Sequence, residues 1–285
     1  MKSDFGEEKK MKIQKFIIAS LFLTAIFFSG YRAFAQKPAE TLTAEDYFNR
    51  AETFYRQGNH HEAIANYTKA VELNSEYFEA IYYRGYAFAQ IRQYEAAVKD
   101  FTKFLESKPD DIDAYAQRAN AYQRSGRIDL ASADFNRIVK IAPNKTLSYQ
   151  WRGMFYQETE KYDLAIADFS AAIKLSPQSE LFHNLRGDCY RRMKKYDLAI
   201  ADFTKAIALD TENPVPGLYG REMAYAAAGK YDLAIADLAR LIELTPDGYE
   251  YYEDRAKIYR KTGKIKLAVK DEQKAVQLRK ELSLD

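Results

Sequence analysis

The chain has 285 residues, with only 12 glycines and 7 prolines, a usage that favours helix over sheet. Its formal net charge is +2, but six of the 43 bases and only three of the 41 acids lie in residues 1–35, so the remainder carries one acid in excess. That balance excludes electrostatic attraction as a reason to bind nucleic acid or an anionic membrane, and a single cysteine, Cys189, excludes an intramolecular disulfide and a cysteine-based metal site.

The first element in chain order is an export segment. Lys12 and Lys15 precede the mostly apolar run Phe16 to Phe28, and Ala33-Phe34-Ala35 supplies an A-x-A ending. This predicts a secretory signal over residues 1–35, cleaved between Ala35 and Gln36. Three acids in residues 1–10 are foreign to a signal, and Met11 is an alternative start that leaves a conventional one. The alternative to cleavage is a membrane anchor, but Phe16 to Gly30 falls short of the ~20 residues needed to span a bilayer. No cysteine follows the run, which disfavours a lipid-anchored protein. The predicted location is therefore outside the inner membrane, periplasmic or secreted. Residues 36–43 read as a linker.

From Ala44 onward one pattern recurs: Arg, a small residue, an aromatic, then Ala, Asp and a second aromatic. The arginines are Arg50, Arg84, Arg118, Arg152, Arg186, Arg221 and Arg255, spaced by 34 except for 35 between Arg186 and Arg221. Seven units follow, at 44–77, 78–111, 112–145, 146–179, 180–213, 215–248 and 249–282. In each, a first helix carries the arginine and its aromatic. A turn follows, marked by Gly58, Gly126, Gly229 and Gly263 in four units. The second helix places apolar residues at i, i+3, i+4 and i+7, as in Ala97, Val98, Phe101, Phe104 and Leu105. Pro109, Pro143, Pro177 and Pro246 stand where a helix must stop. A small column on the first helix (Ala51, Gly85, Ala119, Gly153, Gly187, Ala256) faces an alanine column on the second, so the two approach closely. A ring column (Tyr67, Phe101, Phe135, Phe169, Phe203) fills the space left. No hairpin buries both of its faces alone, so the predicted fold is an all-α stack.

These residues resemble the tetratricopeptide repeat over Ala44 to about Leu282. The resemblance implies a right-handed superhelical solenoid with a concave groove lined by the first helices, binding segments of other proteins. The flank facing that groove offers Tyr82, Tyr83 and Tyr86, then Asn120 and Arg124, then Gln150, Trp151 and Met154, then Asp188, Arg191 and Arg192. These are the expected partner-binding residues. Rings and amides suit the apolar side chains and backbone of a peptide, and the two arginines suit a carboxylate.

No nucleotide-binding, nucleophile-elbow or zinc-protease motif occurs, and His60, His61 and His183 are not spaced as metal ligands. The expectation is a non-catalytic scaffold of the bacterial envelope with no cofactor, no nucleic acid, and no membrane contact except through an uncleaved signal. The alternative is a binder of glycan or peptidoglycan, motivated by export together with the aromatics.

Two structural expectations follow. Each arginine but the first precedes an aspartate by sixteen residues, which places the two level across the hairpin: Arg84–Asp100, Arg118–Asp134, Arg152–Asp168, Arg186–Asp202, Arg221–Asp237 and Arg255–Asp271. Asp100 and Arg118 also stand level across Pro109, which leaves pairing between units as the alternative; pairing within each unit is expected, because the residues after each alanine (Val98, Ile166, Ile200) face the next unit and turn the aspartate the other way. In the sixth unit Glu222 takes the small-residue position, and Pro214, Pro216, Gly217 and Gly220 crowd the same helix. A bend or loosening is expected there, at residues 211–224, dividing units one to five from six and seven.

Overall fold

The computed structural model describes residues 42–282, so the export segment and most of the linker lie outside the described residues. Among the described residues are fourteen α-helices and no strand: α1 (Ala44–Arg56), α2 (His60–Leu73), α3 (Phe78–Gln90), α4 (Tyr94–Ser107), α5 (Ile112–Arg124), α6 (Ile128–Ile141), α7 (Thr146–Glu158), α8 (Tyr162–Leu175), α9 (Glu180–Arg192), α10 (Tyr196–Leu209), α11 (Val215–Ala227), α12 (Tyr231–Leu244), α13 (Tyr249–Lys261) and α14 (Ile265–Leu282). They pair as seven hairpins, the fold class of a helical solenoid.

Local chemistry sets the boundaries. Thr43 caps α1 by a capping box: its hydroxyl accepts the Asp46 N–H at 3.1 Å, and the Asp46 carboxylate accepts the Thr43 N–H at 3.0 Å. Every hairpin turn uses one left-handed residue. It is glycine in four hairpins (Gly58, Gly126, Gly229, Gly263) and Arg92, Glu160 or Lys194, at φ near +60°, in the other three. The residue after each donates its N–H to the carbonyl of the repeated aromatic, for instance Lys230 to Tyr225 at 2.8 Å. That six-to-one bond closes the first helix and turns the chain into the second.

The small and ring columns meet as expected. Ala63, Ala97, Ala131, Ala165, Ala199, Ala234 and Ala268 are fully buried. An added Cβ on Gly153 would lie 2.6 Å from the Phe169 ring, and one on Gly85 or Gly187 would lie 3.1 Å from Phe101 or Phe203. The missing Cβ is thus what lets each ring lie flat against the first helix. Phe101 and Phe169 are fully buried, each adding about 1.5–3 kcal/mol of apolar burial.

The helices form two compact units. The first ends at Pro109 and holds α1 to α4; the second begins at Asp110 and holds α5 to α14. The expected division at 211–224 is absent, because α11 is a regular thirteen-residue helix packed on α10 within the second unit. Pro214 is its N-cap and Pro216 lies in its first turn, where no intrahelical N–H bond is lost. The glycines draw the helices together: a Cβ on Gly220 would fall 2.3 Å from the Phe203 ring, and one on Gly217 2.8 Å from Ile207. Sequence propensity marks these glycines as weak helix formers, but close packing outweighs it.

Candidate functional site

In the first unit the tyrosines form one ring cluster. Tyr83 is 38% exposed and stacks parallel to buried Tyr67 at 6.4 Å, with Phe48 at 5.9 Å. Tyr82 turns into the hairpin against Phe104 (4.8 Å) and Phe101 (5.7 Å). Tyr86 meets Tyr55 edge-on at 6.1 Å. The Tyr67 hydroxyl donates to Glu52, and burial with that carboxylate drives its pKa far up. Of the three flank tyrosines, Tyr83 is the exposed one.

In the second unit Asn120 and Arg124 are exposed on α5, and Met154 is 39% exposed on α7. Gln150 is half-buried one turn before Met154. Trp151 packs against the core of Phe135, Phe155 and their neighbours, so it is a packing residue more than a free face. Arg191 and Arg192 are committed locally. Arg191 donates to Asp188 at 2.5 and 3.1 Å, Arg192 at 2.8 Å, and the Gln157 amide at 2.8 Å. Burial opposes charge on Asp188, but the bonds from Arg192 and Arg191 prevail and hold its carboxyl below the ordinary range. The arginines expected to await a carboxylate already hold one.

The six arginine–aspartate pairs all form within their hairpins as two-pronged bonds. Nε and Nη2 of Arg152 donate to Asp168 at 2.9 and 2.6 Å, and the other five pairs lie between 2.7 and 3.0 Å. The aspartates are 3–6% exposed. Such buried charges are kept where they are paired. The remaining nitrogen has a second use that spacing alone did not reveal. Nη1 reaches back to the preceding hairpin, from Arg84 to Thr68 (3.4 Å), Arg152 to Asn136 (2.9 Å), Arg186 to Ser170 (2.9 Å) and Arg221 to Thr204 (3.1 Å). In these four units the arginine thus joins two hairpins and closes one. Arg50, which has Asn66 at the aspartate's place, lies over its own aromatic, Phe54, at 5.8 Å, as Arg118, Arg152, Arg221 and Arg255 lie over theirs. His183 is buried beside Asp202 (3.1 Å), in a packing position.

Between the fifth and sixth hairpins the second unit carries a cleft of about 380 Å³. Leu181, Leu185, Phe203, Ile207, Tyr219 and Met223 form its apolar surface, and Asn184 and Asp188 line it from α9. The 35-residue spacing, which lengthens the linker after α10, brings Asn213 and Pro214 to its mouth. The extra residue was visible in the sequence; the cleft it shapes was not. Nearby, Glu222 is only 3% exposed, and its Oε2 has no hydrogen-bond partner. Burial first, then Asp254 and Asp237, push its carboxyl up to about 8. Among the described residues no cluster of three His, Cys, Asp or Glu is placed to hold a metal, and no helix is long and apolar enough to cross a membrane.

Sequence profiles of the tetratricopeptide repeat match residues 48–112 and 223–281, 112–145 and 147–179, and 181–213. No curated protein matches the chain. Among solved structures, the C-terminal part of a TPR repeat-containing protein from Cytophaga hutchinsonii superposes with a TM-score of 0.65 at 21% identity, covering 84% of this chain and 95% of that one. A tetratricopeptide repeat protein from Parabacteroides merdae gives 0.62 at 20% identity, with 82% and 93% covered. YrrB, described as a TPR protein with an unusual peptide-binding site, gives 0.50 at 21% identity, with 62% and 91% covered. At these identities the likeness concerns the fold.

Proposed function

The chain belongs to the tetratricopeptide repeat family, and we propose that it is a non-catalytic scaffold of the bacterial envelope, exported by its N-terminal segment, that binds an extended segment of a partner protein along its first helices. The observation that carries this reading is the contrast between constant and variable columns. The small residue, the alanine, the buried aspartate and its arginine recur to hold hairpins together. The first-helix flank changes in every copy, offering Tyr83 in one hairpin, Asn120 and Arg124 in the next, and Gln150 and Met154 in the one after. Constant packing with a varied face is how repeat stacks present different contacts along one ligand. The family and the peptide-binding site ascribed to YrrB support a protein ligand.

The test is crosslinking in the native cell with the parent and a Tyr83→Ala/Asn120→Ala/Met154→Ala variant of unchanged helical content. Capture of one set of envelope proteins by the parent, and its loss by the variant, is expected. Equal capture by both sinks the reading. Binding of purified cell-wall polymer by the parent, with no protein captured, would favour the glycan reading instead.

A further inference from the structure

The cleft between the fifth and sixth hairpins has a character of its own. Its surface is aliphatic and aromatic, yet no lysine, arginine or histidine lines it, and three carboxylates do. Asp188 is neutralised by Arg191 and Arg192. The other two, Glu180 and Asp210, make no ion pair among the described residues, and Asp210 accepts only the nearby Asn213 N–H (2.9 Å). Topology brings these two together. Glu180 opens α9 and Asp210 follows the last residue of α10, so antiparallel pairing sets both at one end of the hairpin. The carbonyl end of α10 adds partial negative charge there and the N-terminal ends of α9 and α11 add partial positive charge, so it is the two full carboxylate charges that set the sign of the site. One turn into the cleft from Glu180, Asn184 presents a buried Oδ1 with no hydrogen-bond donor. Glu180, Asp210 and Asn184 Oδ1 all accept, beside the amide and hydroxyl donors of Asn184, Asn213 and Tyr219, and the space behind them is apolar.

We propose that this cleft receives a lysine or arginine side chain of the bound segment, its stem lying along Leu181, Leu185 and Met223 and its cationic head among Glu180, Asp210 and Asn184 Oδ1. Long basic side chains are built this way, with an apolar stem and a charged tip. A volume of about 380 Å³ leaves room for one such chain and the adjoining backbone. A neutral apolar side chain would leave Asn184 Oδ1 unsatisfied, and an acidic one would face two carboxylates. The inference rests on the segment-binding reading above and names what that segment must carry.

The experiment selects a library of nine-residue random peptides on the immobilised full chain, then compares the best binder with its copy carrying norleucine for the enriched base. The same comparison is made on a Glu180→Gln/Asp210→Asn variant and on Asn184→Ala, each checked for unchanged helical content. Enrichment of lysine or arginine at one position is expected. So is at least tenfold weaker binding of the norleucine peptide to the parent and a difference under threefold on the double variant, with Asn184→Ala between. Peptides enriched without any basic preference overturn the inference and leave the scaffold reading intact, as does a basic preference that survives in the double variant. A library from which nothing is enriched sinks both.

Discussion

Replacing Glu222 by glutamine should stabilise the protein, and by an amount that grows with pH. The carboxyl stands where other hairpins place glycine or alanine, is 3% exposed, and leaves Oε2 unpartnered. Its folded-state pKa, about 8, exceeds the ordinary 4.5. A raised carboxyl pKa means that the folded state holds a proton the unfolded state has released, so stability falls as pH rises from about 4.5 to about 8 and then levels. At about 1.4 kcal/mol per unit, the ceiling is about 5 kcal/mol at pH 9 and about 3 kcal/mol at pH 7. Glutamine keeps the shape and cannot ionise. Urea unfolding of parent and variant, followed by far-UV circular dichroism, should therefore give nearly equal midpoints at pH 4 and a clear advantage for the variant at pH 9. A difference that does not change with pH, or a parent more stable at pH 9, would refute the reasoning and mean that Glu222 gains a partner when charged. Glu222→Ala should also be more stable than the parent at pH 9, because alanine is what hairpins one, three and seven carry in this column.

Asp168→Asn should cost up to about 3–5 kcal/mol by stranding the half-buried Arg152 guanidinium, and pairing it with Arg152→Met should recover part of the loss in the same unfolding measurement. Lys194→Gly should stabilise by up to about 1 kcal/mol, since φ of 60° carries a Cβ penalty that Gly229, at the equivalent turn, avoids; the comparison control is Gly229→Ala, expected to lose a similar amount. The Cys189 thiol is fully buried, and burial pushes it up to about 12, so a thiol reagent at pH 8 should label it only after denaturation; fast labelling of the native chain would contradict the packing.

The sequence by itself determined the repeating part of this protein. A fixed period of small residue, ring, alanine and aspartate leaves one way to bury every copy, so the hairpins and the closely packed columns were legible from spacing alone, and the arginine–aspartate pairs from spacing together with the residues that must face the next unit. The turns were legible wherever glycine marked them, and Arg92, Glu160 and Lys194 fill the same left-handed position where it does not. Three matters were decided only in the tertiary structure, because each depends on which atoms meet across helices. Gly217 and Gly220 read as helix weakeners, but their missing Cβ atoms admit Ile207 and Phe203 and hold the sixth hairpin to the fifth. Arg191 and Arg192 read as free cations, but Asp188, a turn earlier on the same helix, takes both. Glu180 and Asp210, thirty residues apart in the chain, belong to no shared sequence pattern, and antiparallel packing sets them beside one apolar cleft. Periodicity fixes what every copy must do to pack; what a single copy does differently is settled by its neighbours in space.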